Sequence, residues 1–163
     1  MDMTKTYLNG YGWLYIMAII DRYDRSIVGY EISSRSRTDE WLAAFDKAVK
    51  NRFPEGTRDQ GLILQVDNGC QPTSRKFVKE LSTSDVTLLY SAYATPEHNA
   101  HIERFFRTLK EEELYYNLYE TYSEAITSIE AYIDFYNNHR IHSALGYLTP
   151  AEYYQQSILQ NVA

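Results

Sequence analysis

Cysteine is almost missing from this sequence: Cys70 is the single thiol in 163 residues. No intramolecular disulfide can form, and such a composition suits a reducing compartment. Long apolar runs are missing as well. The longest, "LYIMAII" at residues 14–20, is far short of the roughly 20 residues that a membrane-spanning helix needs. It reads instead as a buried strand. The opening "MDMTKTYLNG" has no apolar centre and hence no secretory signal. A soluble, cytoplasmic protein with no membrane partner is expected. The third absence is a cationic excess: 16 Lys and Arg stand against 22 Asp and Glu, a net charge of −6. Phosphate contacts dominate nucleic-acid affinity, so this balance argues against strong unaided DNA binding. It leaves open an acidic metal site, because clustered carboxylates are what hard divalent cations require.

What is present fits one domain. At this length a chain buries roughly 70% of the surface its unfolded form exposes, and neither repeat nor linker interrupts it. "TKTYLN", "GWLYIMAII" and "SIVGYEIS" read as three strands, with Gly10-Tyr11-Gly12 and "DRYDR" as the turns of two hairpins. "RTDEWLAAFDKAVKNRF" carries Trp41, Phe45, Ala48 and Val49 at helical spacing. "LILQV" is a buried strand ending at Asp67-Asn68-Gly69, "SRKFVKEL" a short helix and "VTLLYS" another strand. Helices follow over 98–114 and over 121–139, the second opening with Thr121 and Glu124 as a capping box. The order βββ-α-β-α-β-α-α predicts an α/β domain, a mixed central sheet of about five strands flanked by helices.

The stretch "HNAHIERFFRTLKEEEL", residues 98–114, carries two stripes. At about 100° per residue, Ile102, Phe105, Phe106 and Leu109 share the face that should bury. Asn99, Glu103, Arg107 and Lys110 lie within about 80° of one another on an adjacent stripe. One reading is a Glu103–Arg107 surface pair worth roughly 0.3–0.5 kcal/mol. Another gives Glu103 a chemical task. Glu111, Glu112 and Glu113 lie off the stripe and read as a solvated face. Asp21 and Asp24 read as turn residues.

A carboxylate at the end of a central strand commonly faces the ligand-binding edge of an α/β sheet. Asp67 follows "LILQV" directly, and Asp2 opens the first strand. With Glu103 from the helix stripe they make a candidate triad of hard oxygen donors. Such a triad holds two divalent ions about 3.5–4 Å apart for in-line displacement at phosphorus. Zinc has no ligand set here, with one thiol and no paired histidine or cysteine motif near His98 and His101.

Thirty-five residues separate Asp67 from Glu103, a spacing that resembles the D,D-35-E signature of retroviral integrases and related transposases. "DMTKTYLNGYGWLYIMAIIDRYDRSIVGYEIS" is similar to the start of the DDE integrase catalytic core in bacterial insertion-sequence transposases. "QVDNGCQPTSRKF" resembles the second-aspartate block, "NAHIERFFRTLKEEEL" the glutamate helix, and "YNNHRIHSALGYLTPAEYY" the closing segment. The block around Asp67 departs from the commoner pattern at Gln65, Val66, Cys70 and Pro72, none of them a metal ligand.

The resemblance implies a ribonuclease H-like fold, with residues 1–163 as a single integrase-type core lacking the upstream helical DNA-binding domain. It implies Asp2, Asp67 and Glu103 as catalytic metal ligands for two Mg2+ or Mn2+ ions. Lys110 and Asn99 match DNA-contacting positions, and Arg107 shares their stripe. The implied activity is phosphodiester hydrolysis at an element end, followed by attack of the freed 3′-hydroxyl on target DNA. The partners it implies are transposon-end and target DNA and a second copy, in a homodimer or higher oligomer. Two alternatives are a ribonuclease H-like nuclease without strand transfer, and a shortened core that assembles with full-length transposase and regulates it. "NNHRIH", with His139, Arg140 and His142, reads either as a further phosphate contact or as cations suited to a helix C-terminus.

Overall fold

In the structure, a computed structural model, residues 1–91 and 99–161 are described. His98, at the head of the quoted stretch, lies outside them. Strands β1 (Asp2–Leu8), β2 (Gly12–Ile20) and β3 (Ile27–Ser33) form an antiparallel meander. The register pairs Asp2 with Ala18, Thr4 with Ile16 and Leu8 with Gly12. Gly10 and Gly12 enclose the first turn with φ of 81° and 91°, values that a side chain would oppose. Strands β4 (Ile63–Val66) and β5 (Thr87–Tyr90) pair in parallel. The expected five strands are therefore present, hydrogen-bonded as a set of three and a set of two. The sets meet where the Met1 nitrogen donates to the Gln65 carbonyl at 2.7 Å.

Alternation along the strands divides the core in two. Leu8, Leu14, Ile16 and Ala18 face α3 (Ala100–Leu109) and α4 (Tyr122–Asn138), packing with Ile102, Phe105, Leu109, Ile129 and Ile133. Met17 and Ile19 face the other way, toward α1 (Thr38–Arg52) and α2 (Arg75–Thr83), with Trp41, Phe45, Phe77 and Leu81. Strand β2 is thus covered on both faces, which is why its sequence is continuously apolar rather than alternating. Gly29 in β3 lets α1 approach closely: a Cβ there would stand 2.6 Å from Ala48 and collide with the Ala44 carbonyl.

Three local expectations are corrected. The helix predicted over 98–114 is α-helical only to Leu109. Lys110–Leu114 form a π-helical turn, closed by the Tyr115 N–H donating to the Lys110 carbonyl at 3.0 Å. The wider turn brings Glu112 and Glu113 into contact with α4, so that Glu113 is half-buried while Glu111 and Glu112 stay exposed. Glu112 accepts from Tyr132 at 2.7 Å and from Arg140, while Glu113 accepts from Tyr119 at 2.9 Å and from Ser128.

Asp24 does more than make a turn. It is fully buried, accepts the Ser26 N–H at 2.8 Å and pairs with Arg52 at 2.6 Å, tying the β2–β3 hairpin to α1. Arg52 in turn lies 3.8 Å from the ring centre of Tyr154 in a fifth helix, α5 (Pro150–Asn161). That helix is absent from the predicted order. Its signal is in the sequence: Thr149 and Glu152 form a reciprocal capping box at 2.9 and 3.2 Å, with Pro150 at the first helical position. None of the helices among the described residues is long and apolar enough to cross a membrane.

Candidate active site

Asp2, Asp67 and Glu103 come from three elements, two of which, β1 and β4, are joined by a backbone contact. Asp2 heads β1, half-buried, its Oδ1 accepting the Met3 N–H at 2.7 Å. The Met1–Gln65 contact sets that strand end beside β4, two residues before Asp67. Asp67 follows β4 and accepts the Gly69 N–H at 3.1 Å; a Cβ at Gly69 would stand 3.0 Å from Asp67 Oδ1, so glycine leaves the carboxylate its room. Glu103 lies in the first turn of α3, exposed, with its N–H on the Asn99 carbonyl at 3.0 Å.

Burial pushes the Asp2 carboxyl above its ordinary pKa. The Met3 N–H and the Met1 ammonium oppose that shift, while the negative charges of Asp67 and Glu103 add to it. The three acids share one electrostatic neighbourhood. Burial also brings the Met1 ammonium down to about 6, against the pull of Asp2 and Asp67. Among the described residues, no three acidic, histidine or cysteine side chains close upon a single point.

The remaining stripe residues are free of local ion pairs. Arg107 is exposed and Lys110 half-buried, and neither has a carboxylate within 4 Å among the described residues. The Glu103–Arg107 surface pair is therefore not formed. Asn99 sits at the N-cap of α3, where its Oδ1 accepts the Ser91 hydroxyl at 3.2 Å. Ser91 belongs to a chain of polar contacts that the motif reading missed. Arg22 Nη1 donates to Gln65 Oε1 at 3.0 Å, and Gln65 Nε2 to Ser91 Oγ at 3.3 Å. Asn68 Nδ2 donates to the Ser91 carbonyl at 2.8 Å. The available signal was Gln65 itself, a polar side chain in a buried strand two residues before the acid. Arg22, Gln65, Asn99 and His101 also line a cavity of about 410 Å3, whose other walls include Ile102 and Leu64.

Other candidates take structural partners. Arg140 is bidentate on Glu112 and is not a free cation. His142 packs edge-on against Tyr136 at 4.8 Å between ring centres, and burial lowers its pKa. Cys70 is exposed, its thiol donating to Gln71 Oε1 at 3.2 Å.

Comparison with known proteins gives a consistent answer. The integrase core domain family profile matches residues 1–96, and a second profile of the same description matches residues 84–150. The transposase for insertion sequence element IS904 of Lactococcus lactis subsp. lactis is 34% identical over 143 residues, covering 87% of this chain and 55% of that protein. The putative transposase InsK for insertion sequence element IS150 of Escherichia coli is 30% identical over 161 residues, covering 99% and 55%. This chain spans about half the length of the curated relatives it matches. Among solved structures, the catalytic core domain of BIV integrase superposes with a TM-score of 0.69 at 18% identity, covering 99% of this chain and 97% of that one. The HTLV-2 integrase catalytic core in complex with magnesium superposes with a TM-score of 0.69 at 15% identity, covering 93% and 90%. The fold is that of an integrase catalytic core, ribonuclease H-like.

Proposed function

The chain belongs to the integrase core domain family, and from that premise we propose that it is the catalytic core of a metal-dependent DNA strand-transfer enzyme of the transposase type. The observation that supports this reading is the contact of β1 with β4 through Met1 and Gln65, with the charges of Asp67 and Glu103 both raising the Asp2 pKa. Like charges acting on a half-buried carboxylate such as Asp2 are costly without a cation. Carboxylates alone offer hard oxygen donors, a set that fits Mg2+ or Mn2+. When bound, such ions supply a more acidic attacking water and charge neutralisation at the leaving oxygen.

The chain's own residues supply the rest. Asp2, Asp67 and Glu103 would hold the ions, and Gly69 leaves the Asp67 carboxylate its room. Arg107 and Lys110, without carboxylate partners among the described residues, neutralise the phosphates of DNA lying along α3. Asn99 orients its amide at the head of the same stripe through Ser91. Transposon-end and target DNA are the substrates, and a homodimer or higher oligomer is the working form.

A second reading, a core that assembles with longer transposase chains and regulates them without cutting, is favoured by the fact that the described acids do not converge on one point. Calorimetric titration of Mn2+ into the protein and its Asp67→Asn variant separates the two. Saturable binding that disappears in the variant supports the catalytic reading. Binding of equal strength in both removes Asp67 from the site, and no binding to either, with or without DNA, favours the second reading.

A further inference from the structure

One face of the β1–β2 hairpin stays exposed at its aromatic positions. The register sets Lys5 opposite Tyr15 and Tyr7 opposite Trp13, so the four side chains make two adjacent rows on that face. Further along the same face of β2, Met17 and Ile19 are buried against α1 and α2. Tyr7 and Trp13, by contrast, are 58% and 46% exposed. Trp13 meets the Tyr7 ring edge-on at 5.4 Å between centres, and Lys5 Nζ lies 4.3 Å from the centre of the Trp13 ring. Trp41, the other tryptophan of the chain, is buried.

The four ion pairs among the described residues take Lys47, Arg52, Lys76 and Arg140. Lys5 is exposed and in none of them. Arg35 is exposed and in none of them either, two residues past Ser33, the end of β3 and the partner of Tyr15. Gln71 Nε2 donates to the Ser36 carbonyl at 2.9 Å, so the loop that carries Arg35 touches the loop that follows Asp67. Alternation sends Lys5 and Tyr7 to the face of β1 opposite Asp2, and three residues set Lys5 about 10 Å along the strand from it. The patch is a place apart from the carboxylates.

We propose that Lys5, Tyr7, Trp13 and Arg35 form a stacking platform for single-stranded nucleic acid. Every base has a face that stacks on an aromatic ring, and each brings a phosphate for a neighbouring cation to neutralise. Lys5 occupies one face of the Trp13 ring. A base that takes its place keeps the ring covered, and the released ammonium turns to the phosphate. A protein partner fits less well, because the Lys5 ammonium would lose its water in an interface whose centre is depleted of charge. A duplex fits less well too, since its bases are stacked on one another already. The inference goes beyond the strand-transfer reading and uses none of the residues assigned to that site.

The test follows the intrinsic emission of the protein as an oligothymidine single strand is added in EDTA. Trp13 is the exposed one of the two tryptophans, so its emission reports stacking. Saturable quenching is expected in the wild type, and its loss in Trp13→Phe, where Trp41 alone emits. Anisotropy of the labelled oligonucleotide gives the affinity. Trp13→Phe should keep most of it, and Trp13→Ala should weaken it at least about fivefold, the worth of one stacked base. Lys5→Ala/Arg35→Ala should flatten the slope of log K against log salt by about 1.4, at about 0.7 for each phosphate of a single strand. Both positions are exposed, so this variant should fold, and circular dichroism checks that it does. Oligonucleotide binding without Trp13 quenching, and with unchanged slope in Lys5→Ala/Arg35→Ala, overturns the platform and leaves the reading of the carboxylates standing. Absence of oligonucleotide binding by the wild type at every salt concentration overturns it as well. So does Trp13 emission that shifts with protein concentration alone and is indifferent to the oligonucleotide, which would make this face a contact between copies of the chain.

Discussion

Arg140 grips Glu112 with two edges of its guanidinium: Nη2 stands 2.7 Å from Oε1 and Nε 3.0 Å from Oε2. The residues are 28 apart in sequence, and the contact joins the π-turn after α3 to the end of α4. Tyr132 adds its hydroxyl to the same carboxylate at 2.7 Å. This cluster fixes the turn that begins at Lys110, and so bears on where α3 ends.

The Glu112 carboxyl has its pKa lowered, chiefly by the Arg140 hydrogen bonds. A depressed folded-state pKa contributes stability that is present above the unfolded carboxylate value and is lost as pH falls through the folded one. Arg140→Ala should therefore lower stability at neutral pH by about 1 kcal/mol, a partly exposed bidentate pair being worth no more. The gap from wild type should narrow as acid protonates Glu112. Urea midpoints at pH 7 and pH 3 measure this, and a gap that stays constant across that range would show that the ion pair contributes nothing.

Breaking the buried pair should cost more. Asp24 is fully buried and Arg52 nearly so, with side-chain exposures of 0% and 13%. Asp24→Ala leaves the guanidinium without its anion and should destabilise the protein by about 3–5 kcal/mol. Thermal unfolding of the variant reads this directly. A loss under about 1 kcal/mol would mean that Arg52 finds solvent or another partner.

Asp67→Asn and Glu103→Gln should each abolish metal-dependent DNA cleavage while leaving the circular dichroism spectrum unchanged. Glu103 is exposed and Asp67 half-buried, so neither change removes core packing. Cleavage at wild-type rates in either variant would take that residue out of the site.

Lys110→Ala should weaken DNA binding uniformly across sequences and flatten the salt slope by about 0.9, with Mn2+ affinity unchanged. Anisotropy and calorimetry on the same preparation check both halves. A variant that binds DNA as tightly as wild type would sever Lys110 from the stripe's proposed role.

The sequence by itself determined most of the scaffold. Local periodicity is a short-range property, so the buried run of β2, the apolar spacing of α1, the capped start of α4 and the apolar stripe of α3 were all legible from neighbouring residues. The Thr149–Glu152 box carried the same kind of information about α5, although the predicted order omitted it. The separations among Asp2, Asp67 and Glu103 were also legible, and the family resemblance turned them into a candidate site. Only the tertiary structure decided which charges stay free. Arg140 and Lys110 are alike as cations on a printed line, yet one is clamped by Glu112 and the other has no carboxylate within reach among the described residues. The difference arises because the π-turn rotates Glu112 toward α4, and a helix-periodic pattern cannot register that rotation. Asp24 and Asp21 likewise share one turn, but Arg52 arrives from α1 to bury only Asp24. Pairing of charges depends on distances between elements far apart in sequence, and those distances exist only once the chain has packed.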